Sequence, residues 1–163
     1  MNKAKSYKSK EAIHLVMRYV DKYGIETAPA HEEVVSKKGA VLVGKVGKPI
    51  AIPTIKMLNE QVESGIPTYL FLISKTAPGE YLCHQGTIES ISSELPSKEK
   101  HLIPDYYREN RITPFVTLWI KLSTLVATRK TGVSKLTIAS NGKNLLSTLP
   151  KSMIGLFLVR QER

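Results

Sequence analysis

Residues 67–90, PTYLFLISKTAPGEYLCHQGTIES, form the stretch that decides the fold. It contains two apolar runs, Thr68 to Lys75 and Tyr81 to Ile91, that are rich in the aromatic and β-branched residues typical of strands. Between them, Pro78-Gly79 has the composition of a type II turn, which needs a positive φ at the glycine. The two runs are therefore predicted to pair as a β-hairpin.

Further strand-like segments lie on both sides of this hairpin. They are residues 40–46, Phe115 to Leu125, Leu136 to Ala139 and Ile154 to Val159. Short helices are predicted from Pro53-Thr54 to Gly65 and around Leu145, ending at Pro150. Because the strands cluster without regular helical crossovers, the order favours an α+β fold built on a small mixed or antiparallel barrel.

The N-terminal residues are predicted to be a basic tail and a helix. Lysines recur at positions 3, 5, 8 and 10, and Ser9 can cap a helix that runs to about Tyr23 and stops at Gly24. The helix is indicated by Ala12, Ile13, Val16, Met17 and Val20, which repeat at helical spacing. Residues 24–38 are predicted to be a connection. The chain is thus expected to be one domain, residues 1–163, with the tail and helix in 1–24 and the barrel in 40–160.

Charge and cysteine content restrict the partners and the compartment. The 24 Lys and Arg outnumber the 14 Asp and Glu, giving a formal charge of +10, which favours an anionic partner or is simply a generally cationic surface. Cys83 is the only cysteine, which excludes an intrachain disulfide and a thiolate zinc cluster. No apolar run is long enough to span a bilayer. A soluble cytoplasmic protein without a membrane partner is expected.

No motif in the sequence indicates catalysis, a metal or a cofactor. Residues 39–46, GAVLVGKV, superficially match a phosphate-binding loop, but strand formers fill the loop and Val46 stands where a hydroxyl would hold magnesium. The four histidines are scattered, and Cys83 and His84 should point to opposite faces of one strand. We therefore predict a domain that is not an enzyme.

Tyrosines and cations occur together in the long proline-bounded segment from Ser92 to Pro114. The adjacent tyrosines there either pack the loop onto the sheet or stack on bases. The candidate base-stacking residues are Tyr81, Tyr106 and Tyr107, and the candidate phosphate contacts are Lys45, Lys48, Lys98, Lys100, Arg108, Arg111, Arg129 and Lys130. This set favours a nucleic-acid-binding protein.

Three strand segments carry a resemblance to a known family. YLFLIS, GEYLCHQGTIESI and FVTLWIKLSTLV resemble the central strands of YTH and EVE domains, which belong to the PUA-like superfamily. Gly86-Thr87-Ile88 stands at the family's small-residue step, and Phe115 with Trp119-Ile120 matches its aromatic-tryptophan strand. The closing segment LPKSMIGLFLVR, residues 149–160, is also similar to EVE domains. The resemblance extends over residues 40–160.

The resemblance implies a small open barrel flanked by helices, into which a modified base is flipped. The implied pocket lies between Gly44 to Lys48, Ser64 to Thr68 and Leu102 to Arg111, although Ser64-Gly65-Ile66 stands where YTH domains have a cage tryptophan. With its extra N-terminal helix and basic surface, the chain is similar to the DNA-targeting domain of McrB-type modification-dependent restriction proteins. That similarity implies modified duplex DNA as partner and a GTP-binding motor outside this chain. An RNA-binding module of the ASCH or PUA kind, and a protein-interaction domain docking through the first helix, are the alternatives.

Overall fold

A computed structural model of the chain describes residues 12–22 and 24–161. Its α-helices are α1 (Thr27–Lys38), α2 (Ile52–Glu63), α3 (Asp105–Glu109) and α4 (Leu145–Thr148). Its strands are β1 (His14–Arg18), β2 (Val41–Val46), β3 (Tyr69–Ala77), β4 (Glu80–Ser92), β5 (Val116–Leu122), β6 (Val126–Thr128), β7 (Leu136–Ile138) and β8 (Leu156–Gln161). None of the helices in this part of the chain is long and apolar enough to cross a membrane.

The described strands form one mixed sheet in the order β2-β5-β4-β3-β1-β8-β7, and β6 adds to β4. Only the β1–β3 pair among them is parallel. The long strand β4 pairs with β3 through its first half and with β5 through its second, with a register shift between Ile88 and Ser90. This arrangement confirms the mixed α and β character of the fold, whereas closure of the sheet into a barrel stays a prediction.

The central hairpin is confirmed. Strands β3 and β4 pair in antiparallel register from Tyr69 opposite Thr87 to Lys75 opposite Tyr81. At the turn, Gly79 has a φ of 77°, the left-handed conformation that the Pro-Gly sequence predicts. Strands β2, β5, β7 and β8 and helix α2 also fall within a few residues of the segments predicted for them.

The predicted N-terminal helix is wrong where the structure describes it, because His14–Arg18 is strand β1. This strand lies between β3 and β8, so both of its edges are paired. Leu15 and Met17 pack into one apolar cluster and Val16 into another. A strand buried on both faces reads as a continuous apolar run, which also satisfies helical spacing. The tail lysines and Ser9 lie outside the described residues.

Helix α1 occupies most of the segment predicted to be a connection. Pro29 lies in its first turn, where a proline removes no intrahelical hydrogen bond. The helix ends at Gly39, whose φ of 80° and N–H bond to the Val35 carbonyl make a glycine cap. The prediction of a connection here is therefore wrong, because the proline lies in the first turn of a helix.

The sheet separates two apolar cores. One lies on the side of α1 and α2 and includes Leu58, Leu118 and Ile120, and the other lies beneath α4 and includes Phe71, Leu145 and Phe157. A smaller cluster joins Trp119 of β5 to Tyr107 of α3 and Leu42 of β2. This third cluster fixes α3 against one end of β2, where a concave surface begins.

Candidate functional site

A cavity of about 520 Å³ opens where the ends of β1 and β2 meet α1 and α3. The first turns of α1 contribute Thr27 and His31, and α3 contributes Tyr106 and Tyr107. The remaining lining residues come from the strands and their connections: Met17, Arg18, Tyr19, Val20, Lys22, Val43, Gly44, Lys45, Val46, Leu72, Ile73, Lys75, Tyr81, Ile112 and Gly155. The volume lies in the range usual for sites that bind small molecules or single chemical groups.

A hydrogen-bond chain forms the wall of this pocket between α1, α3 and β2. The Thr27 carbonyl can only accept, so His31 donates to it from Nδ1 over 2.7 Å. Nε2 of the neutral ring then accepts from the Tyr107 hydroxyl at 2.8 Å. The Tyr107 oxygen in turn accepts the Gly44 N–H at 3.0 Å. Each of these polar atoms is satisfied, so the chain fixes three elements relative to one another.

Burial keeps the two side chains of this hydrogen-bond chain, His31 and Tyr107, uncharged near neutral pH. It lowers the pKa of His31 to about 4 and raises the pKa of Tyr107 well above its ordinary value. The Tyr107 ring is only 3% exposed, and its centroid lies 4.7 Å from that of Tyr106 and 6.0 Å from that of Trp119. Tyr107 is thus a packed structural residue that supports Tyr106, and little of its ring is open to a ligand.

Replacing Gly44 by alanine is expected to destabilise the fold by about 1–3 kcal/mol, the usual cost of overpacking. A Cβ there would lie 2.9 Å from both Tyr107 Cε2 and Val116 Cγ2, so either α3 or β5 must shift. Urea unfolding measures the change. Gly155→Ala is the matched control, because a Cβ at Gly155 meets nothing within 4 Å. Equal stabilities of the two variants would contradict the close approach.

Four cations line the pocket: Arg18, Lys22, Lys45 and Lys75. Within the described part of the chain, no Asp or Glu lines it. Arg18 donates from Nη1 to the Ser152 carbonyl at 2.7 Å, and Lys45 donates from Nζ to the Lys48 carbonyl at 2.9 Å. Burial also lowers the pKa of Lys45. Four lining cations with no carboxylate in the described part of the lining favour an anionic ligand.

The pocket also has four tyrosines: Tyr19, Tyr81, Tyr106 and Tyr107. Tyr81 stands opposite Lys75 across the hairpin, so a ring and a cation share one edge of the pocket. Burial, with smaller contributions from nearby acidic groups, raises the pKa of Tyr19 to about 12. Its hydroxyl is buried and has no hydrogen-bond partner among the residues described.

The structure places the predicted site residues unevenly. Lys45, Tyr81, Tyr106 and Tyr107 line the pocket. Lys130 donates from Nζ to the Gly79 carbonyl at 2.9 Å, which puts it and the neighbouring Arg129 at the hairpin turn. Lys48 lies beside Lys45, as their bond requires. Arg108 and Arg111 are both exposed and follow Tyr107 closely in sequence. Arg108 Nη2 lies 3.8 Å from Asp105 Oδ1, and the backbone of Arg111 has a φ of 56°.

Lys98 and Lys100 are not brought to this pocket. They lie on the 3-10 helix Ser97–Leu102, next to the last turn of α1, where Lys38 Nζ donates to the His101 carbonyl at 2.6 Å. The pocket is instead lined by Thr27 and His31 from the first turns of α1. Residues 64–68 do not line the pocket either.

Sequence reasoning missed Arg18, Tyr19, Lys22, His31 and Lys75. Arg18 is the last residue of β1, which was taken for a helix, and Tyr19 and Lys22 follow it. His31 belongs to α1, which was taken for a connection. Lys75 could have been predicted from the sequence, because the predicted hairpin already places it opposite Tyr81. For Arg18, Tyr19 and Lys22, the missing signal was the central position of β1 in the sheet.

Comparison with known proteins identifies a family. None of the curated proteins matches the chain. Among solved structures, the YTH domain of the Zygosaccharomyces rouxii MRB1 protein in complex with N6-methyladenosine RNA matches at 12% identity and a TM-score of 0.34, over 82% of this chain and 71% of that one. A TM-score of this size supports no inference about ligand. A family model described as Pua-like matches residues 15–144, from β1 to the start of α4. Since this match spans most of the chain, the protein belongs to the PUA-like family.

Proposed function

We propose that this chain is a non-catalytic DNA-binding domain that accepts a modified base in the pocket between β1, β2, α1 and α3. Its role would be to target a modification-dependent restriction complex to modified duplex DNA. The observation that best supports this proposal is that tyrosines and cations line one cavity, with no carboxylate among its described lining residues. Membership of the PUA-like family agrees with a binding module.

The lining offers the two interactions that an extruded nucleotide requires. Extrusion costs a few kcal/mol of stacking and pairing, which stacking and edge hydrogen bonds in the pocket must offset. Tyr81 and Tyr106 are the rings proposed to stack, while Tyr107 packs against Tyr106. The cations proposed to neutralise the phosphates on either side are the lining residues Lys45 and Lys75, Lys48 beside Lys45, and Arg129 and Lys130 at the hairpin turn.

Arg108 and Arg111 are proposed as backbone contacts beside the pocket. Replacing both with alanine should weaken binding to modified and plain duplex alike, because phosphate contacts carry no sequence information. The slope of log affinity against log salt should fall by about 1 for each arginine lost. Fluorescence anisotropy over a salt series, with a plain duplex and its 5-methylcytosine and N6-methyladenine counterparts, measures both quantities.

One control tests whether the loss of charge acts locally, and a second tests stability. Lys98→Ala with Lys100→Ala removes the same charge at the far end of α1, so affinity should change little. Arg111→Gly removes a cation but relieves the left-handed backbone, so the free energy of unfolding should change by less than about 1 kcal/mol. Unchanged binding by the double arginine variant would move the DNA contact elsewhere, and equal losses in both double variants would indicate non-specific attraction.

The nucleic acid and the complex need separate tests. A matched RNA duplex competing as well as the DNA duplex would favour the RNA-binding alternative, since the 2′-hydroxyl distinguishes the two. The restriction role predicts that the protein acts with a GTP-binding motor. A reading frame after Arg163 that encodes such a motor would support this part of the proposal.

A further inference from the structure

An exposed apolar rim stands at the mouth of the pocket. In the segment 151–155, here called the rim segment, Met153 is fully exposed and Ile154 is 57% exposed. Val20, 72% exposed, lies at the mouth as a lining residue. Exposed apolar side chains held together beside a cationic cavity are a feature that often marks an interaction surface.

Arg18 holds the rim segment in place. Its N–H donates to the Gly155 carbonyl at 2.8 Å, and its Nη1 donates to the carbonyls of Ser152 at 2.7 Å and Ile154 at 3.5 Å. The Ile154 N–H donates to the Ser152 Oγ at 3.1 Å, which closes a tight turn under Met153. Arg18 and Gly155 both line the pocket. The backbone that presents Met153 is therefore fixed at the pocket edge before any ligand binds.

We infer that Met153 is a wedge that enters the base stack of duplex DNA and fills the gap left by the nucleotide in the pocket. This inference rests on the proposed function. Removing a nucleotide from the stack leaves an apolar gap between two base faces, and apolar side chains inserted at such steps offset part of the unstacking cost. The unbranched, flexible methionine side chain fits an irregular apolar gap well.

The charges around the rim favour DNA over a protein as the molecule that covers it. Lys151 is exposed beside Met153, and Arg18 and Lys22 lie on the adjoining pocket wall. A chain of net charge +10 presenting this face to a second copy of itself would bring like charges together. A polyanion satisfies these cations while its stacked bases receive the apolar side chain.

The test compares Met153→Ala on a duplex and on a single strand of the same sequence carrying one 5-methylcytosine. A single strand has no continuous stack and needs no gap filled. The variant should therefore bind the duplex about tenfold more weakly than the wild type, a difference of about 1.4 kcal/mol, while its affinity for the single strand changes less than about twofold. Met153→Leu keeps an apolar wedge and should restore duplex binding.

Ile52→Ala is the matched control. Ile52 is also strongly exposed, but it lies in a groove beside Ile91 and Ser92, at the other end of β4 from Tyr81. Its replacement should leave both affinities unchanged.

The outcomes separate the wedge from the proposed function. Failure of the wild type to bind either nucleic acid would overturn both. Wild-type binding with an unaltered duplex affinity of Met153→Ala would overturn the wedge alone, as would equal losses on duplex and single strand. Self-association of the free protein that Met153→Ala abolishes, measured by sedimentation velocity, would also overturn the wedge.

Discussion

Lowering the pH from 6.5 to about 4 is expected to remove on the order of 6 kcal/mol from the free energy of unfolding, because two buried histidines are held neutral. Burial lowers the pKa of His14 and of His31 from 6.5 to about 4. Nδ1 of His14 accepts the Tyr69 N–H at 3.1 Å, and Nε2 of His31 accepts from Tyr107. Protonation would abolish both acceptors.

The sign of the effect follows from which state takes up the proton. The unfolded chain protonates each imidazole near 6.5, whereas the folded chain resists until about 4. Stability from these groups is therefore complete above 6.5, falls as the pH drops through that window, and is fully lost below about 4. A loss of this size is comparable to the whole stability of many domains, so acid unfolding within the window is expected.

Urea unfolding at several pH values measures the loss, and NMR titration of the imidazole protons assigns it. His31→Gln should remove about one proton from the slope of stability against pH, whatever its effect on stability itself. Titration of His14 or His31 near 6.5 in the folded protein, or a flat stability profile, would contradict the prediction.

Tyr107→Phe is expected to destabilise the protein by about 3 kcal/mol, because one hydroxyl serves two buried partners. Without it, the Gly44 N–H loses its acceptor and His31 Nε2 loses its donor. The ring and its contact with Trp119 remain, so the loss reports the hydrogen bonds and not a cavity. Since the hydrogen-bond chain joins α1, α3 and β2, which line the pocket, the binding of DNA there should weaken too.

Chemical denaturation with a matched control tests this chain of hydrogen bonds. Tyr69→Phe removes a hydroxyl from a half-buried tyrosine that packs in the core beneath α4, and should change stability by less than about 0.5 kcal/mol. A Tyr107→Phe variant as stable as Tyr69→Phe would show that the hydroxyl has no structural role.

The hairpin was predictable because its signals are local. Pro78-Gly79 sets the turn, and two runs of strand formers on either side extend the pairing outward. Pairing partners then follow from the turn, which is why Lys75 and Tyr81 could have been joined from the sequence. The same locality explains the agreement for β2, β5 and α2, each of which is bounded by its own Gly or Pro.

The N-terminal strand and the pocket were not predictable in the same way. Residues 12–20 satisfy helical and buried-strand patterns equally, and only the distant partners β3 and β8 decide between them. Arg18 enters the pocket only because β1 is a strand, so the error in secondary structure became an error in the site. Tyr107 illustrates a second limit: two adjacent tyrosines look alike in sequence, but α3 turns one of them into the interior.

The central place of β1 also bears on how the chain folds during synthesis. Its neighbours are β3, about 55 residues later, and β8, near the other end of the chain. In a nascent polypeptide, one edge of β1 can therefore pair once β3 has emerged, whereas the other edge stays unpaired until β8 has been synthesised. Completion of the sheet must wait for the last strand, and any shortened form that begins after Arg18 would leave β3 and β8 without the strand that joins them.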